Sequence, residues 1–154
     1  MQMLKLIRQQ KGFSLIEVIV VLILVGLLAP LASLGIVSIV KSFIFTKTTA
    51  EVTLKGQVAI TILAKEFSNA SDITVNSSSD VTYSVYRGTL TPETHQVHKS
   101  GTEILINTDI LIDKVNNFSV TYDATNKLID ISITLIGPDG TNMSFSDRIT
   151  PRNM

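Results

Sequence analysis

Lys11-Gly-Phe-Ser-Leu-Ile-Glu17 opens an apolar run that extends to Val40. From Val18 to Val40, twenty-three residues pass without a charge. As a helix rising about 1.5 Å per residue, that run covers about 34 Å, enough for the roughly 30 Å hydrocarbon core of a bilayer. Glu17 sits just inside the apolar stretch. A lone carboxylate in lipid costs roughly 2.5–3.5 kcal/mol at the membrane centre and less near its edge, so a charge kept there calls for a partner. The run is too long for the apolar region of a secretory signal, which covers roughly 7–15 residues. The nearest small-residue exit site, Ala29-Pro-Leu-Ala-Ser33, is followed by more apolar helix. Lys5, Arg8 and Lys11 precede the run and favour a cytoplasmic N-terminus, although Lys41 and Lys47 flank its other end.

The segment Lys11-Gly-Phe-Ser-Leu-Ile-Glu-Val-Ile-Val-Val-Leu22 resembles the processing motif of type IV prepilins and type II secretion pseudopilins. The resemblance covers Lys11 to Val40: Gly, Phe and Glu at the family's spacing, a short basic leader before them and an unbroken apolar helix after them. It implies that a prepilin peptidase cuts between Gly12 and Phe13, and that the same enzyme N-methylates Phe13. It also implies an assembly charge pair. The cleaved Phe13 carries an α-amine that is cationic near neutrality, and Glu17 of one subunit would meet that amine on a neighbour, relieving two charges buried in an apolar setting. A glycine before the cut suits an enzyme that must approach the backbone closely.

The chain therefore divides into a basic leader over 1–12, removed on processing, a transmembrane and assembly helix over 13–40, an amphipathic helix over 41–70 and a β-rich pilin-like domain over 71–154. The last 114 or so residues can bury a modest core. Three of the thirteen basic residues lie in the leader, which leaves ten against thirteen acids, a formal charge of −3. That balance does not suit a general nucleic-acid binder, and no nucleic-acid partner is expected. There is no cysteine, so a domain outside the inner membrane relies on packing rather than disulfides.

Phe13 to about Asn69 reads as one helix, with Ser14 at its start and Glu17 in the first turn, where the helix dipole favours an anion. Pro30 has no N–H for the carbonyl of Gly26, so Gly26 and Pro30 mark an expected kink. Beyond Lys47 the helix is amphipathic. Leu54, Val58 and Ile62 form one row, and Ala59, Leu63 and Phe67 another, with Ile60 between; Phe67 joins the first row as an expected core contact. Gly56 weakens the helix locally. Residues 71–102 read poorly: Asn76–Asp80 and Thr89–Gly101 have loop composition, with a short strand at Val81–Tyr86. Glu103–Asn107 is a short strand. Val115–Tyr122 alternates, with Phe118, Val120 and Tyr122 on one face. Leu128–Ile136 alternates with Ile129, Ile131, Ile133 and Leu135 inward, and Asn142–Ile149 returns with Met143 and Phe145 inward. The expected fold is α+β, a long N-terminal helix on an antiparallel meander of three or four strands.

The same order resembles the pilin family. Ala59–Ala70 and the tail Ile149-Thr-Pro-Arg-Asn153 resemble minor pilins and minor pseudopilins, while the C-terminal disulfide loop of many major pilins is absent. The implied partners are the peptidase and methyltransferase, other pilin or pseudopilin subunits, an inner-membrane assembly platform and the lipid bilayer. The implied location is the bacterial inner membrane, single pass, with the C-terminal domain periplasmic or extracellular, and then a pilus or pseudopilus. Type IV pili, mannose-sensitive-haemagglutinin-type pili, type II secretion and competence systems all fit.

The remaining candidates carry little. His95-Gln-Val-His98 has no third ligand at zinc spacing and reads as exposed loop. Asp72, Asp80, Asp109, Asp113 and Asp139 are scattered and match no ordered calcium loop. The sequons at Asn69, Asn76, Asn117 and Asn142 read as chance. No metal or cofactor is expected, and no catalytic set is visible. The chain reads as a structural subunit, with a monomeric membrane-anchored periplasmic binding domain as the alternative.

Overall fold

The computed structural model describes residues 12–88 and 91–153, without the side chains at 32 and 33. The leader residues Lys5, Arg8 and Lys11, together with Thr89, Leu90 and Met154, lie outside the described residues. Helix α1 spans Leu15–Ser68, and the chain divides into two compact units, one ending at Ile44 and the other beginning at Phe45.

In the first unit α1 is apolar on every side, and its large side chains are exposed from Leu15 to Ile44. It belongs to the one helix, among the described residues, that is long and apolar enough to cross a membrane. The helix continues through Pro30. A Cβ placed on Gly26 would meet nothing within 4 Å, so no crowding outside the helix itself demands glycine there.

The second unit packs the rest of α1 on two antiparallel sheets. The first has the order β1 (Ala70–Ser77), β2 (Asp80–Val85), β3 (Glu93–Ser100), β4 (Glu103–Ile106) and β5 (Asp109–Ile112). The second has the order β6 (Val115–Asp123), β7 (Leu128–Ile136) and β8 (Asn142–Ile149). This is an α+β, pilin-like layout. Backbone bonds join the sheets: the Val120 N–H donates to the Ser78 carbonyl at 2.8 Å, and the Val115 N–H to the Thr102 carbonyl at 2.8 Å. Two sheets stand where the sequence suggested a single meander of three or four strands.

The alternating strands lie where their patterns put them. Ile129, Ile131, Ile133 and Leu135 of β7 are all buried, as are Phe118 and Val120 of β6, with Tyr122, Met143 and Phe145 half-buried against the same core. Val115 is buried too, although it is out of phase with Phe118. A register irregularity between Val115 and Asn117 inserts the extra residue that turns it inward. Asp123 holds the β6–β7 hairpin by accepting the N–H groups of Thr125 and Asn126 at 2.9 and 3.2 Å, and the Gly137–Gly140 turn closes on a 3-10 turn over Pro138–Gly140.

Three expectations are corrected. The stretch expected as loop over Thr89–Gly101 holds a strand: β3 runs from Glu93 to Ser100 and pairs along its length with β2, from Asp80↔His98 to Val85↔Glu93. Asn76–Asp80 is mostly strand as well, with β1 running to Ser77. Third, the row Leu54, Val58, Ile62 does not face the sheets: Leu54 is 62% and Val58 57% exposed. The buried row is Val52, Gly56, Ala59, Leu63 and Phe67, about 140° away round the helix. Small residues in that row bring the helix close to the sheet. A Cβ at Gly56 would run into the Phe145 ring. Below it Leu63 is fully buried, and Phe67 meets Tyr83 edge-on, with ring centroids 5.2 Å apart at 85°. Gly56 is thus a packing requirement rather than a weak point. At the helix end, the tail returns: the Arg152 N–H donates to the Ser68 carbonyl at 2.9 Å and the Asn153 amide to the Asn69 carbonyl at 3.2 Å, satisfying groups left open there.

Core substitutions separate the two rows. Leu63→Ala is expected to destabilise the second unit by about 2–5 kcal/mol. Leu54→Ala, on the exposed row, should stay within about 1 kcal/mol. Gly56→Ala should destabilise by about 1–3 kcal/mol through overpacking on Phe145, against the roughly 1 kcal/mol that helix propensity alone would gain. Urea unfolding of residues 45–154 measures all three. Equal effects at 54 and 63 would contradict the assignment of the buried face.

Candidate functional site: the N-terminal segment and the head surface

The residues Gly12, Phe13 and Ser14 precede α1 in non-helical backbone, and all three are exposed, Phe13 by 80%. The helix begins at once behind them. The Ser14 carbonyl accepts the N–H groups of Glu17 at 3.0 Å and Val18 at 3.2 Å, which sets Ser14 at the helix start. Leu15 and Ile16 lie among the first turn, whose N–H groups have no carbonyl one turn back. Glu17 stands in that turn, exposed, at the positive end of the helix dipole. The structure thus brings together an accessible Gly12–Phe13 peptide bond and a carboxylate one helical turn beyond it. An exposed bond outside regular structure is what a peptidase needs, and nothing lies within 4 Å of a Cβ built on Gly12.

The histidines do not converge. They lie three apart on β3, where successive side chains alternate faces, so His95 and His98 point to opposite sides of the sheet. They are half-buried strand residues rather than exposed loop residues. His95 Nδ1 is 3.0 Å from the Asn107 amide nitrogen, its Nε2 is 3.7 Å from a Glu93 carboxylate oxygen, and its ring lies 5.5 Å from that of Tyr83. Among the described residues no three of His, Asp and Glu are grouped so as to hold a metal ion.

Two polar arrangements had no signal in the sequence. Arg87 donates to both oxygens of Glu66, at 2.9 and 2.7 Å, and the Tyr83 hydroxyl donates to Glu66 at 3.2 Å. Burial pushes the Tyr83 hydroxyl well above its ordinary pKa, with the Glu66 charge adding to the effect. The partners come from α1, from β2 and from the turn after it, a spacing of 17 and 21 residues that no local pattern reveals. The second arrangement is on the exposed row of α1. Lys55 donates to Asp113 at 3.1 Å and lies 3.8 Å from Glu51.

The family model of the prokaryotic N-terminal methylation motif matches residues 7–29. No curated protein and no solved structure matches the chain. The match covers the start of the chain, and with the apolar helix it opens and the α+β layout behind it the chain is similar to type IV pilin-like precursors.

The Lys55–Asp113 pair yields a pH prediction. The hydrogen bond from Lys55 holds the Asp113 carboxyl below the usual carboxylate range. A carboxyl depressed in the folded state stabilises above its unfolded pKa, about 3.9, and that contribution is lost as pH falls through the lower folded value. Both side chains are 45% exposed, so the effect belongs to the roughly 0–1 kcal/mol of surface pairs. Asp113→Asn is expected to lower the urea midpoint slightly at pH 7 and to leave it unchanged near pH 2. A loss that persists at the lower pH would assign the effect to packing.

Proposed function

We propose that this type IV pilin-like precursor is a minor pilin or minor pseudopilin. It is inserted in the inner membrane through α1, cut between Gly12 and Phe13, N-methylated at Phe13 and built into a pilus or secretion pseudopilus. The observation that carries this reading is the methylation motif over 7–29 lying on an exposed bond directly before an apolar helix with a single carboxylate near its start. A simple membrane anchor has no reason to carry Gly12-Phe13 and Glu17 together. The lack of cysteine supports a minor subunit over those major pilins that close a C-terminal loop with a disulfide.

In this account each residue has one task. Gly12 leaves the scissile backbone uncrowded. Phe13, once cut, supplies a cation that methylation to a secondary amine preserves. Glu17 of one subunit meets the amine of another, so that neither charge stays unpaired among apolar helices. Gly26 and Pro30 loosen the ladder by one hydrogen bond, giving the helix room to bend as subunits pack. Before assembly the lipid bilayer covers the first unit; afterwards neighbouring helices do. The inner-membrane platform would move the subunit from one environment to the other.

Variants at the two positions separate processing from assembly. Gly12→Val is expected to block cleavage and leave the precursor in the membrane. Glu17→Leu is expected to leave cleavage and insertion intact, since the span becomes more apolar, and to lower incorporation into sheared filaments relative to the membrane pool, with Glu17→Asp intermediate. Incorporation of Glu17→Leu at the wild-type level would remove the charge pair from the account. A processed chain that never leaves the membrane pool, even as wild type, would favour the monomeric anchored binding domain.

A further inference from the structure

The exposed row of α1 lies beside β5 and forms a groove. Leu54 and Val58, one turn apart on the helix, face Ile110 and Leu111 across a depression of about 580 Å³ whose edges carry Lys55 and Glu103. Ile110 is 59% exposed. A contiguous apolar patch of this kind on an otherwise polar domain marks an interaction surface. Its rim is acidic. Lys55 is shared between Asp113 and Glu51, and among the described residues no ion pair answers Glu103. Even with Lys114 counted beside Asp113, carboxylates outnumber ammonium groups around the groove, which disfavours an anionic bilayer surface as the occupant.

The chain carries the complementary chemistry on about two turns of α1. Phe43 and Lys47 stand four residues apart and so share a face, as do Lys41 and Phe45. Phe43 is exposed, and among the described residues neither Lys41 nor Lys47 enters an ion pair. We propose that the groove receives the Lys41–Lys47 segment of a second copy of this chain, with Phe43 against Leu54, Val58 and Ile110 and Lys47 beside Glu103. The proposal rests on the filament reading above and adds a contact to it. A subunit built this way enters the filament beside its own kind rather than singly.

The native chain has no cysteine, so a directed cross-link is clean. Full-length Phe43→Cys and Val58→Cys chains are co-expressed, filaments are sheared and mildly oxidised, and covalent dimer is scored against total subunit in the filament fraction. A dimer is expected from the pair of variants. It should be absent with Val58→Cys alone and with Phe43→Cys combined with Val75→Cys, which presents its thiol from β1. Glu103→Lys should lower the dimer yield several-fold, and Lys47→Glu in the Phe43→Cys chain should restore it. Subunit present in filaments with no dimer above the Val75→Cys control would overturn the groove contact and leave the filament reading standing. Subunit absent from the filament fraction, with the wild type absent too, would overturn the filament reading and the groove contact with it.

Discussion

Between Leu15 and Ile44 the helix presents apolar side chains to every side, and a cylinder of that kind is stable only within lipid or against other apolar helices. Water cannot be its final environment. The remaining features follow from this constraint. The head must fold without help from the first unit, so the second half of α1 supplies its own buried row to the sheets. A charge within the apolar stretch must find a partner at the same depth, and under the proposed processing the amine of Phe13 is that partner. In the proposed assembly, transfer from lipid to neighbouring subunits exchanges one apolar cover for another, so small electrostatic terms at the helix start can direct register without having to drive burial.

The second half of α1 shows how two apolar rows on one helix divide the work. The row with Gly56 and Ala59 lies on the sheet, because small residues let the Phe145 ring and the strands approach the helix axis. The row with Leu54 and Val58 has larger side chains, and it borders the exposed Ile110 instead. One face holds the domain together, and the other stays exposed and is the one proposed for assembly. The Glu66–Arg87–Tyr83 cluster and the returning tail at Ser68 and Asn69 fasten the end of the same helix to the head.

Much of this is legible from residues alone. The first unit is legible because a run of apolar residues without charge has one stable environment. The strand β7 is legible because its alternation is unbroken and both its neighbours pair with it. Legibility fails where the period fails. In β1 the buried residues Ala70 and Ile73 are three apart, because a register irregularity between Ala70 and Asp72 shifts the phase. In β3 only Val97 is fully buried, so no alternation exists to read, and the strand is fixed by its partners rather than its composition. The choice between the rows of α1 turns on the Gly56–Phe145 contact, which joins residues 89 positions apart in the chain. The N-terminal segment is the opposite case: Gly12, Phe13 and Glu17 lie within six residues, and their meaning comes from spacing that the sequence displays directly.

The central claim is that the mature protein begins at Phe13, directly before this helix, with a charged amine. Intact and tandem mass spectrometry of the protein from cells that contain the peptidase tests it most directly. Removal of twelve of the 154 residues leaves a 142-residue chain, and the account requires that chain, with one N-methyl group on Phe13. An uncut chain, or a first residue near Ala32, would contradict it.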